Sequence, residues 1–263
     1  MRQFIKFIQR CRQRFNLTAC LLMLLPQYCR LCDARTNTVL SVCAFCLPQL
    51  PWLGHSCRGC GLPLSHLNAY HCGHCLKRMP PINLTVCCFQ YRGVIQQWIQ
   101  QYKFHHQLDL HTLFAHCIQQ RMAAQHIDAD LILAVPIHPR RLKQRGFNQC
   151  SLIAQRVSRA LGIPFDDNIL VRHKHSAAQM TLPAKQRHQN IKGCFTVTRC
   201  LHSLRLILLE DVITTGATIN EAAMTLKAHG ALSVQVWAIA RATDQAPPTQ
   251  PMACYPRLSL GQD

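Results

Sequence analysis

The sequence predicts an α/β protein in which a parallel sheet with helices on both faces follows a small cysteine-rich module. After Met79-Pro80-Pro81, short apolar runs alternate with helical stretches, which is typical of parallel strands joined by crossover helices. Before that point, eight of the 17 cysteines form four Cys-x-x-Cys pairs. The 263 residues suffice for two domains, and a hydrophobic content of 49% excludes a largely disordered chain.

Shifts in composition predict four segments. They are an N-terminal helical segment (1–27), the cysteine-rich module (28–80), the α/β domain (81–243) and a tail (244–263). The first is expected to be an amphipathic helix whose apolar side includes Phe4, Ile5, Ile8 and Phe15. Its apolar run Leu17–Leu25 is too short to cross a bilayer, and no small-residue cleavage site of a signal peptide follows it. No transmembrane segment is therefore predicted.

The cysteine pairs are spaced as zinc ligands are. Ten, ten and eleven residues separate successive pairs. Zinc prefers four thiolates at the corners of a tetrahedron, and two residues between cysteines allow one turn to direct both sulfurs to one ion. The predicted ligands of structural Zn²⁺ are Cys29, Cys32, Cys43, Cys46, Cys57, Cys60, Cys72 and Cys75. Four pairs can form two sites, paired in sequence or interleaved, and a single site is the remaining alternative.

A disulfide framework or a redox centre explains these pairs less well. Disulfides need an oxidising compartment, and the sequence shows no convincing secretion signal. A redox Cys-x-x-Cys is normally one pair beside a strand and a helix rather than four pairs in series. Histidines near the pairs offer substitute ligands, and these are His55, His66, His71 and His74. Structural zinc is therefore the preferred interpretation.

The elements of the α/β domain are predicted from apolar runs and helix ends. Leu131–Val135 is a short apolar run closed by Pro136, as expected of a buried strand. Gly162 and Gly230 follow the ends of two helical stretches. The predicted strands are 131–135, 206–209 and 234–240. The predicted helices are 94–104, 108–125, 148–161 and 219–229.

Acidic and hydroxyl residues lie between strand 206–209 and the helix that follows it. Glu210 and Asp211 are expected at the carboxyl end of this strand, where open parallel sheets bind ligands. The next loop offers hydroxyls and unhindered backbone N–H groups at a helix N-terminus, which suits an anion. Its residues are Thr214, Thr215, Gly216, Ala217 and Thr218. Together these features predict a pocket for ribose 5-phosphate; helix capping alone would account for only one or two of the residues.

The charge of the chain predicts a polyanionic partner. Its 29 Lys and Arg against 11 Asp and Glu give a formal charge of +18, which favours nucleic acid, a phosphorylated ligand or an anionic membrane. One basic cluster follows strand 131–135 and would face pyrophosphate or DNA phosphates, and it contains Arg140, Arg141, Lys143 and Arg145. The polar stretch 172–190 is expected to be a functional loop. The alternative for the basic cluster is an ordinary solvated helix start.

Three motifs together resemble one known family. They are the loop Glu210-Asp-Val-Ile-Thr-Thr-Gly-Ala-Thr218, the segment Arg145-Gly-Phe-Asn-Gln149 and the cysteine pairs, with further matches at 57–63 and 135–141. The combination resembles the ComF/GntX family, in which a double zinc ribbon precedes a type I phosphoribosyltransferase-like domain. The resemblance covers residues from about Leu21 to Arg241 and implies that fold for this chain.

The resemblance implies a role for each candidate site residue. Glu210 and Asp211 would be the catalytic pair and would contact the ribose hydroxyls directly or through Mg²⁺, while the 214–218 loop would hold the 5-phosphate. Arg140 and Arg141 belong to the stretch that binds pyrophosphate. The 172–190 loop corresponds to the flexible lid, with the ligand contacts Lys174, Gln179 and Arg187. The acidic pair of the family is commonly Asp-Asp, so Glu210 is a departure from its pattern.

The resemblance also implies a function and a location. It indicates uptake of single-stranded DNA during natural transformation, on the cytoplasmic side of the inner membrane and beside the DNA-uptake machinery, with phosphoribosyl diphosphate as a small ligand. Three hypotheses follow: a DNA-uptake factor, an active phosphoribosyltransferase with an unknown acceptor, and a sensor that binds the diphosphate without turnover. The basic charge favours the first, and the phosphate loop favours the other two.

Overall fold

A computed structural model describes residues 27–36, 38–123, 125–174 and 191–243. The predicted N-terminal helix and C-terminal tail, and Gln179 and Arg187 of the predicted lid, lie outside the described residues. The described residues fall into two compact units, 27–49 and 50–243. This division lies within the range 28–80 that the sequence predicts as one module, so each unit contains two of the four cysteine pairs.

The first unit is built around short turns. Strands β1 (Gln27–Tyr28) and β2 (Arg35–Thr36) pair antiparallel, and a 3-10 helix covers Leu47–Gln49. Between the two strands, the N–H group of Asp33 donates to the carbonyl of Cys29 at 2.9 Å, and that of Cys29 donates to the carbonyl of Ala34 at 2.9 Å. These bonds close a tight turn around the first cysteine pair.

The second unit contains the predicted parallel sheet. Its strands are β3 (Leu84–Gln90), β4 (Leu131–Ala134), β7 (Arg205–Ile213) and β8 (Ser233–Arg241), in the order β3-β8-β7-β4 with every pair parallel. Strands β5 (Leu170–Arg172) and β6 (Phe195–Val197) form a separate antiparallel pair. The predicted fold class is confirmed.

Six helices are described in the second unit. They are α1 (Gly73–Lys77), α2 (Gly93–Phe104), α3 (Leu110–Met122), α4 (Pro139–Arg145), α5 (Gln149–Leu161) and α6 (Ala217–Ala228). Helices α2, α3, α5 and α6 agree with the four predicted helices to within a few residues, whereas the short helices α1 and α4 were not predicted. Helix α5 begins where the Asn148 side chain accepts a hydrogen bond from the Cys150 N–H group, and it ends at Gly162, whose φ of 69° suits glycine.

The core lies on both faces of the sheet because strand residues alternate between faces. One buried cluster joins alternate strand residues to the apolar side of α6 and includes Leu131, Leu133, Leu206, Leu208, Val234, Val236, Ala222, Ala223 and Leu226. The intervening residues, such as Ile132 and Ile207, are fully buried on the opposite face. Helices α3 and α5 contact the sheet outside that cluster. Helices therefore cover both faces, as predicted.

Two strand predictions need correction. The predicted strand 206–209 continues to Ile213, because β7 keeps its parallel pairing with β8 as far as Ile213 opposite Arg241. Glu210 and Asp211 are consequently inside a strand rather than after its end. Strand β3 was not predicted, although its apolar centre Val86–Phe89 lies between Pro81 and the start of a helix and is buried.

The outer edge of β3 is covered by the segment that leads into the third cysteine pair. The N–H group of Leu53 donates to the Cys88 carbonyl at 2.7 Å, and the Trp52 ring lies 4.4 Å from that of Phe89. The N–H group of Thr85 donates to the carbonyl of Arg58 at 2.7 Å. An open edge strand is prone to pair with other chains, and this segment blocks it.

Among the residues that the structure describes, no helix combines the length and the apolar character needed to span a membrane.

Candidate metal centres and ligand site

The eight predicted ligands form two groups of four. Cys29, Cys32, Cys43 and Cys46 lie together in the first unit, and Cys57, Cys60, Cys72 and Cys75 lie together in the second. Within each group the four sulfur atoms are no more than 4.8 Å apart. The pairing is sequential, and the interleaved alternative is wrong.

Histidine takes no part in either group within the described part of the chain. The Nε2 atom of His55, which is one of the candidate substitutes, instead bonds the Ala69 carbonyl at 2.6 Å. Four thiolates without histidine form a ligand set that zinc prefers in structural sites. The composition of both groups therefore suits structural Zn²⁺.

The backbone around the sulfur atoms also suits thiolate ligands. The N–H group of Leu31 donates to the Cys29 Sγ atom at 3.4 Å, and that of Cys72 donates to the Cys57 Sγ atom at 3.2 Å. Burial raises the pKa of Cys57, but the N–H groups of Cys72, Cys60 and Gly59 outweigh burial and lower it to about 7. Metal binding requires deprotonated sulfur, so these donors favour the metal-bound form.

The predicted phosphate loop connects β7 to α6. Gly216 precedes the first residue of α6 and has a φ of 80°, a conformation that glycine adopts without steric cost. The Thr215 hydroxyl oxygen accepts a hydrogen bond from the Ala217 N–H group at 3.4 Å. Thr214 is exposed and Thr218 is half-buried. The loop presents hydroxyls and the start of a twelve-residue helix, as predicted.

Asp211 lies where three elements meet. Its side chain is almost fully buried, with Oδ1 2.8 Å from the Lys103 Nζ atom of α2 and Oδ2 2.5 Å from the Gln149 Nε2 atom of α5. The Tyr102 hydroxyl donates to the Gln149 carbonyl at 2.9 Å. Burial lowers the pKa of Lys103, but Asp211 outweighs burial and raises it. The candidate site therefore contains a buried ion pair between Lys103 and Asp211.

Sequence reasoning missed Lys103 and Gln149. Lys103 is the single basic residue of α2, and it directly follows the buried Tyr102. A lone cation beside buried positions of a helix is a weak signal that such a charge has an acidic partner. Gln149 was noted only as the end of the Arg145-Gly-Phe-Asn-Gln motif, and nothing in its residue type indicates a buried contact with Asp211.

Glu210 is held in a different way from Asp211. Its Oε1 atom accepts a hydrogen bond from the Asp211 N–H group at 2.9 Å, and the Cys150 Sγ atom lies 3.5 Å from it. Burial, followed by the nearby Asp211 carboxylate, raises the pKa of Glu210 to about 8. Burial and the neighbouring carboxylate therefore favour the protonated form of Glu210, whereas Asp211 is ion-paired with Lys103.

This difference predicts that stability depends on pH. Between the ordinary pKa of a glutamate and pH 8, the folded protein holds a proton on Glu210 that the unfolded chain releases, so stability falls as pH rises through this window, by at most about 1.4 kcal/mol per pH unit. Glu210→Gln should remove that slope in the ligand-free protein. Glu221→Gln, which changes the other glutamate, should keep it. Urea unfolding at pH 6 and pH 8 measures the difference, and equal slopes for wild type and Glu210→Gln would contradict the assignment.

The basic residues predicted to contact phosphate are not equivalent. Arg140 is exposed and Arg141 half-buried on α4, whereas the Arg145 guanidinium donates to the Gln149 side chain and lies 5.2 Å from the centre of the Phe104 ring. Arg145 thus supports the Gln149–Asp211 contact. Lys174 is exposed at the end of the described segment that leads into the predicted lid.

One family model matches the cysteine-rich part of the chain, and curated relatives match most of its length. A family model of the double zinc ribbon domain matches residues 20–76, which include both cysteine groups. Competence protein F of Haemophilus influenzae is 35% identical over 214 residues, covering 78% of this chain and 91% of that protein. DNA utilization protein YhgH of Escherichia coli K12 is 31% identical over 218 residues, covering 81% and 89%.

Solved structures similar to the chain include two phosphoribosyl enzymes. Glutamine phosphoribosylpyrophosphate amidotransferase from Bacillus subtilis is 18% identical, with 53% of this chain and 30% of that chain covered and a TM-score of 0.37. Adenine phosphoribosyltransferase from Leishmania tarentolae is 13% identical, with 64% and 94% covered and a TM-score of 0.36.

Proposed function

The chain belongs to the family of competence protein F and DNA utilization protein YhgH, and on this premise we propose that it handles single-stranded DNA during natural transformation. We place this action on the cytoplasmic side of the inner membrane, beside the DNA-uptake machinery. A second part of the proposal is that the site between β7 and α6 binds phosphoribosyl diphosphate. This ligand would make the protein a sensor, or a phosphoribosyltransferase if an acceptor also binds.

One observation carries the proposed ligand: an acidic pair and an anion-binding loop lie within a few residues of each other at one edge of the sheet. Gly216 turns the chain from β7 into α6, so the N–H groups at the start of a twelve-residue helix can approach a phosphate. Asp211 precedes this turn by five positions and forms an ion pair with Lys103. A ribose 5-phosphate group needs both an anion site and acceptors for its hydroxyls.

Each part of phosphoribosyl diphosphate has a proposed partner. The 214–218 loop would hold the 5-phosphate. A carboxylate accepts about four hydrogen bonds. Lys103 and Gln149 use two of these positions on the buried Asp211 carboxylate, and the proposal requires that a ribose hydroxyl reach one of the others. Glu210, whose protonated form is favoured by burial, would act as a hydroxyl partner without charge. Arg140 and Arg141 would face the diphosphate, together with the Mg²⁺ that it carries, which supplies neutralising charge when bound.

A calorimetric titration tests the proposed ligand. Wild-type protein should bind phosphoribosyl diphosphate in the presence of Mg²⁺, and Asp211→Asn/Thr215→Ala should lower the affinity at least tenfold, because an acceptor of the hydroxyls and a loop hydroxyl are lost. The matched control is Asp128→Asn/Thr225→Ala, which makes the same chemical changes before β4 and in the last turn of α6. Equal affinity of wild type and Asp211→Asn/Thr215→Ala would show that the site is elsewhere.

The proposed contact with single-stranded DNA is supported by exposed charge and an exposed aromatic ring. Arg140 and Lys143 are exposed on α4, and the Arg58 guanidinium lies 4.7 Å from the centre of the Tyr70 ring, which is 59% exposed. Proteins that bind single strands without sequence preference combine cations for phosphates with aromatic rings for bases. The formal charge of +18 adds a general attraction.

DNA binding through phosphates predicts a steep salt dependence. Replacing Arg140, Arg141 and Lys143 with glutamine should reduce the slope of log affinity against log salt by up to about 2, because fewer counterions are released. Arg159, Arg199 and Lys227 replaced with glutamine provide a control with the same loss of charge elsewhere. Fluorescence anisotropy with an oligonucleotide at several salt concentrations gives both slopes. Binding that does not respond to salt would contradict the phosphate contacts.

A further inference from the structure

Arg241, the last residue of β8, joins the second cysteine group to the start of the phosphate loop. Its side chain is only 4% exposed. The Nε atom donates to the Cys60 carbonyl at 2.8 Å, and the Nη1 atom donates to the Ile213 carbonyl at 3.0 Å and also to the carbonyls of Thr214 and Ala242. One planar guanidinium therefore bonds the backbone carbonyl of the candidate metal ligand Cys60 on one side and the carbonyls of Ile213 and Thr214, where the loop begins, on the other.

The turn that carries Cys60 fits closely against the sheet. The Thr85 hydroxyl donates to the Gly59 carbonyl at 2.8 Å, and the Thr85 N–H group donates to the Arg58 carbonyl at 2.7 Å. Gly61 has a φ of 73°, and a Cβ atom there would lie 2.9 Å from the Cys87 Sγ atom. A larger residue would push the turn away from β3. The position of the Cys60 carbonyl is therefore fixed between the cysteine ligands and the sheet.

The contacts of Arg241 make it sensitive to the shape of this turn. Among the described residues, its hydrogen-bond partners are carbonyl oxygens, and it forms no ion pair with a carboxylate. When a buried cation loses a hydrogen bond, the free energy lost on removing it from water is no longer compensated, and the folded state is destabilised. If the turn from Cys57 to Gly61 loosens, Arg241 loses its hydrogen bond to the Cys60 carbonyl. The guanidinium can then shift, which alters its hydrogen bonds to the carbonyls of Ile213 and Thr214.

We propose that Arg241 is a positioning residue that makes ligand binding at the 214–218 loop depend on zinc in the second centre. The inference rests on the proposed binding of phosphoribosyl diphosphate. Zinc bound by Cys57, Cys60, Cys72 and Cys75 holds the turn in shape, the turn fixes Arg241 through the Cys60 carbonyl, and Arg241 fixes the loop at Thr214. The first centre, formed by Cys29, Cys32, Cys43 and Cys46, has no described contact of this kind and serves as an internal control.

Coupling of this kind is reciprocal, which provides a test on the unmodified protein. If zinc in the second centre favours the diphosphate, the diphosphate must raise the affinity of that centre for zinc by the same factor. Competition with a chelator at equilibrium measures the affinity of the full chain for each of its two zinc ions. The measurement is made with and without phosphoribosyl diphosphate and Mg²⁺. We expect one of the two to be held about tenfold more tightly when the diphosphate is bound, which corresponds to about 1.4 kcal/mol.

Variants of Arg241 separate coupling from general stabilisation. Arg241→Gln should retain both zinc ions, bind the diphosphate at least tenfold more weakly and abolish the effect of the diphosphate on zinc affinity. Arg241→Lys keeps the charge but lacks the fork that reaches carbonyls on two sides, so it should also lose the coupling. Arg205→Gln is the matched control, because it removes an arginine with several hydrogen bonds from the opposite end of the neighbouring strand. Thermal melting checks that each variant is folded.

The outcomes distinguish this inference from the function on which it rests. If wild type does not bind phosphoribosyl diphosphate, the proposed ligand and the coupling both fail. If wild type binds it but the affinity of each zinc ion is unchanged, the coupling alone is overturned. Full coupling in Arg241→Gln, or in Arg241→Lys, would likewise overturn the role of the guanidinium bridge while leaving the proposed ligand intact.

Discussion

Replacing Cys57 and Cys60 together with serine is expected to remove one zinc ion and to destabilise the second unit by several kcal/mol. Structural zinc contributes about 10–16 kcal/mol to small zinc-binding peptides, which is comparable with the whole free energy of unfolding of a typical domain. The loss should spread into the sheet, because the turn between these cysteines bonds Thr85 of β3 and Arg241 of β8. Metal analysis and denaturant unfolding measure the two effects.

Controls for this variant come from the other cysteines. Cys29→Ser/Cys32→Ser should also lose one zinc ion, while the unfolding transition of the second unit should remain. Cys200→Ser, which changes an exposed cysteine outside both groups, should alter neither zinc content nor stability. A Cys57→Ser/Cys60→Ser protein with one zinc ion fewer and unchanged unfolding would contradict a structural role for the second centre.

Gly216→Val is expected to reduce the affinity for phosphoribosyl diphosphate by about a hundredfold or more. A valine at a φ of 80° costs more than the 1–2 kcal/mol typical of ordinary residues in left-handed backbone, so the loop should move to relieve the strain. Movement would misalign several N–H donors at once, whereas Thr215→Ala removes a single hydroxyl and should cost about tenfold or less. Calorimetric titration of both variants gives the ranking.

Gly162→Val is the matched control for backbone strain. Gly162 has a φ of 69°, follows the end of α5 and has open space where a Cβ atom would lie, so the substitution should lower stability without disturbing the loop. It should therefore bind phosphoribosyl diphosphate with wild-type affinity in its folded form. If Gly162→Val and Gly216→Val lose affinity equally, the effect reflects lost stability and not the phosphate loop.

Local patterns in the sequence predicted the metal ligands and the loop because both depend on short spacing. Two residues between cysteines and a glycine between threonines and a helix have nearly the same geometry in any fold. The lengths of the strands depended on distant partners. Strand β7 continues through Glu210 and Asp211 because β8 pairs with it to Arg241, and no feature of residues 206–213 alone indicates that extension.

The part of the site that the sequence did not predict is a set of contacts between residues far apart in sequence. Lys103, Gln149 and Asp211 come from α2, α5 and β7, and they meet only when these elements pack together. Arg241 and Cys60 are separated by 181 positions and lie on opposite sides of the Met79-Pro80-Pro81 linker that was predicted to separate two domains. Residue type alone suggests anion binding for any arginine. It does not show that Arg140 is exposed, whereas Arg145 and Arg241 form hydrogen bonds within the protein.

Hydrogen–deuterium exchange of the wild-type protein, measured with and without phosphoribosyl diphosphate and Mg²⁺, tests the central claim most directly. If the loop between β7 and α6 holds the 5-phosphate, the amides of residues 214–218 should exchange more slowly in the presence of the diphosphate, and a single-stranded oligonucleotide should not protect them to the same extent. Saturating diphosphate that leaves these amides unprotected, or protects a different segment instead, would contradict the proposed site.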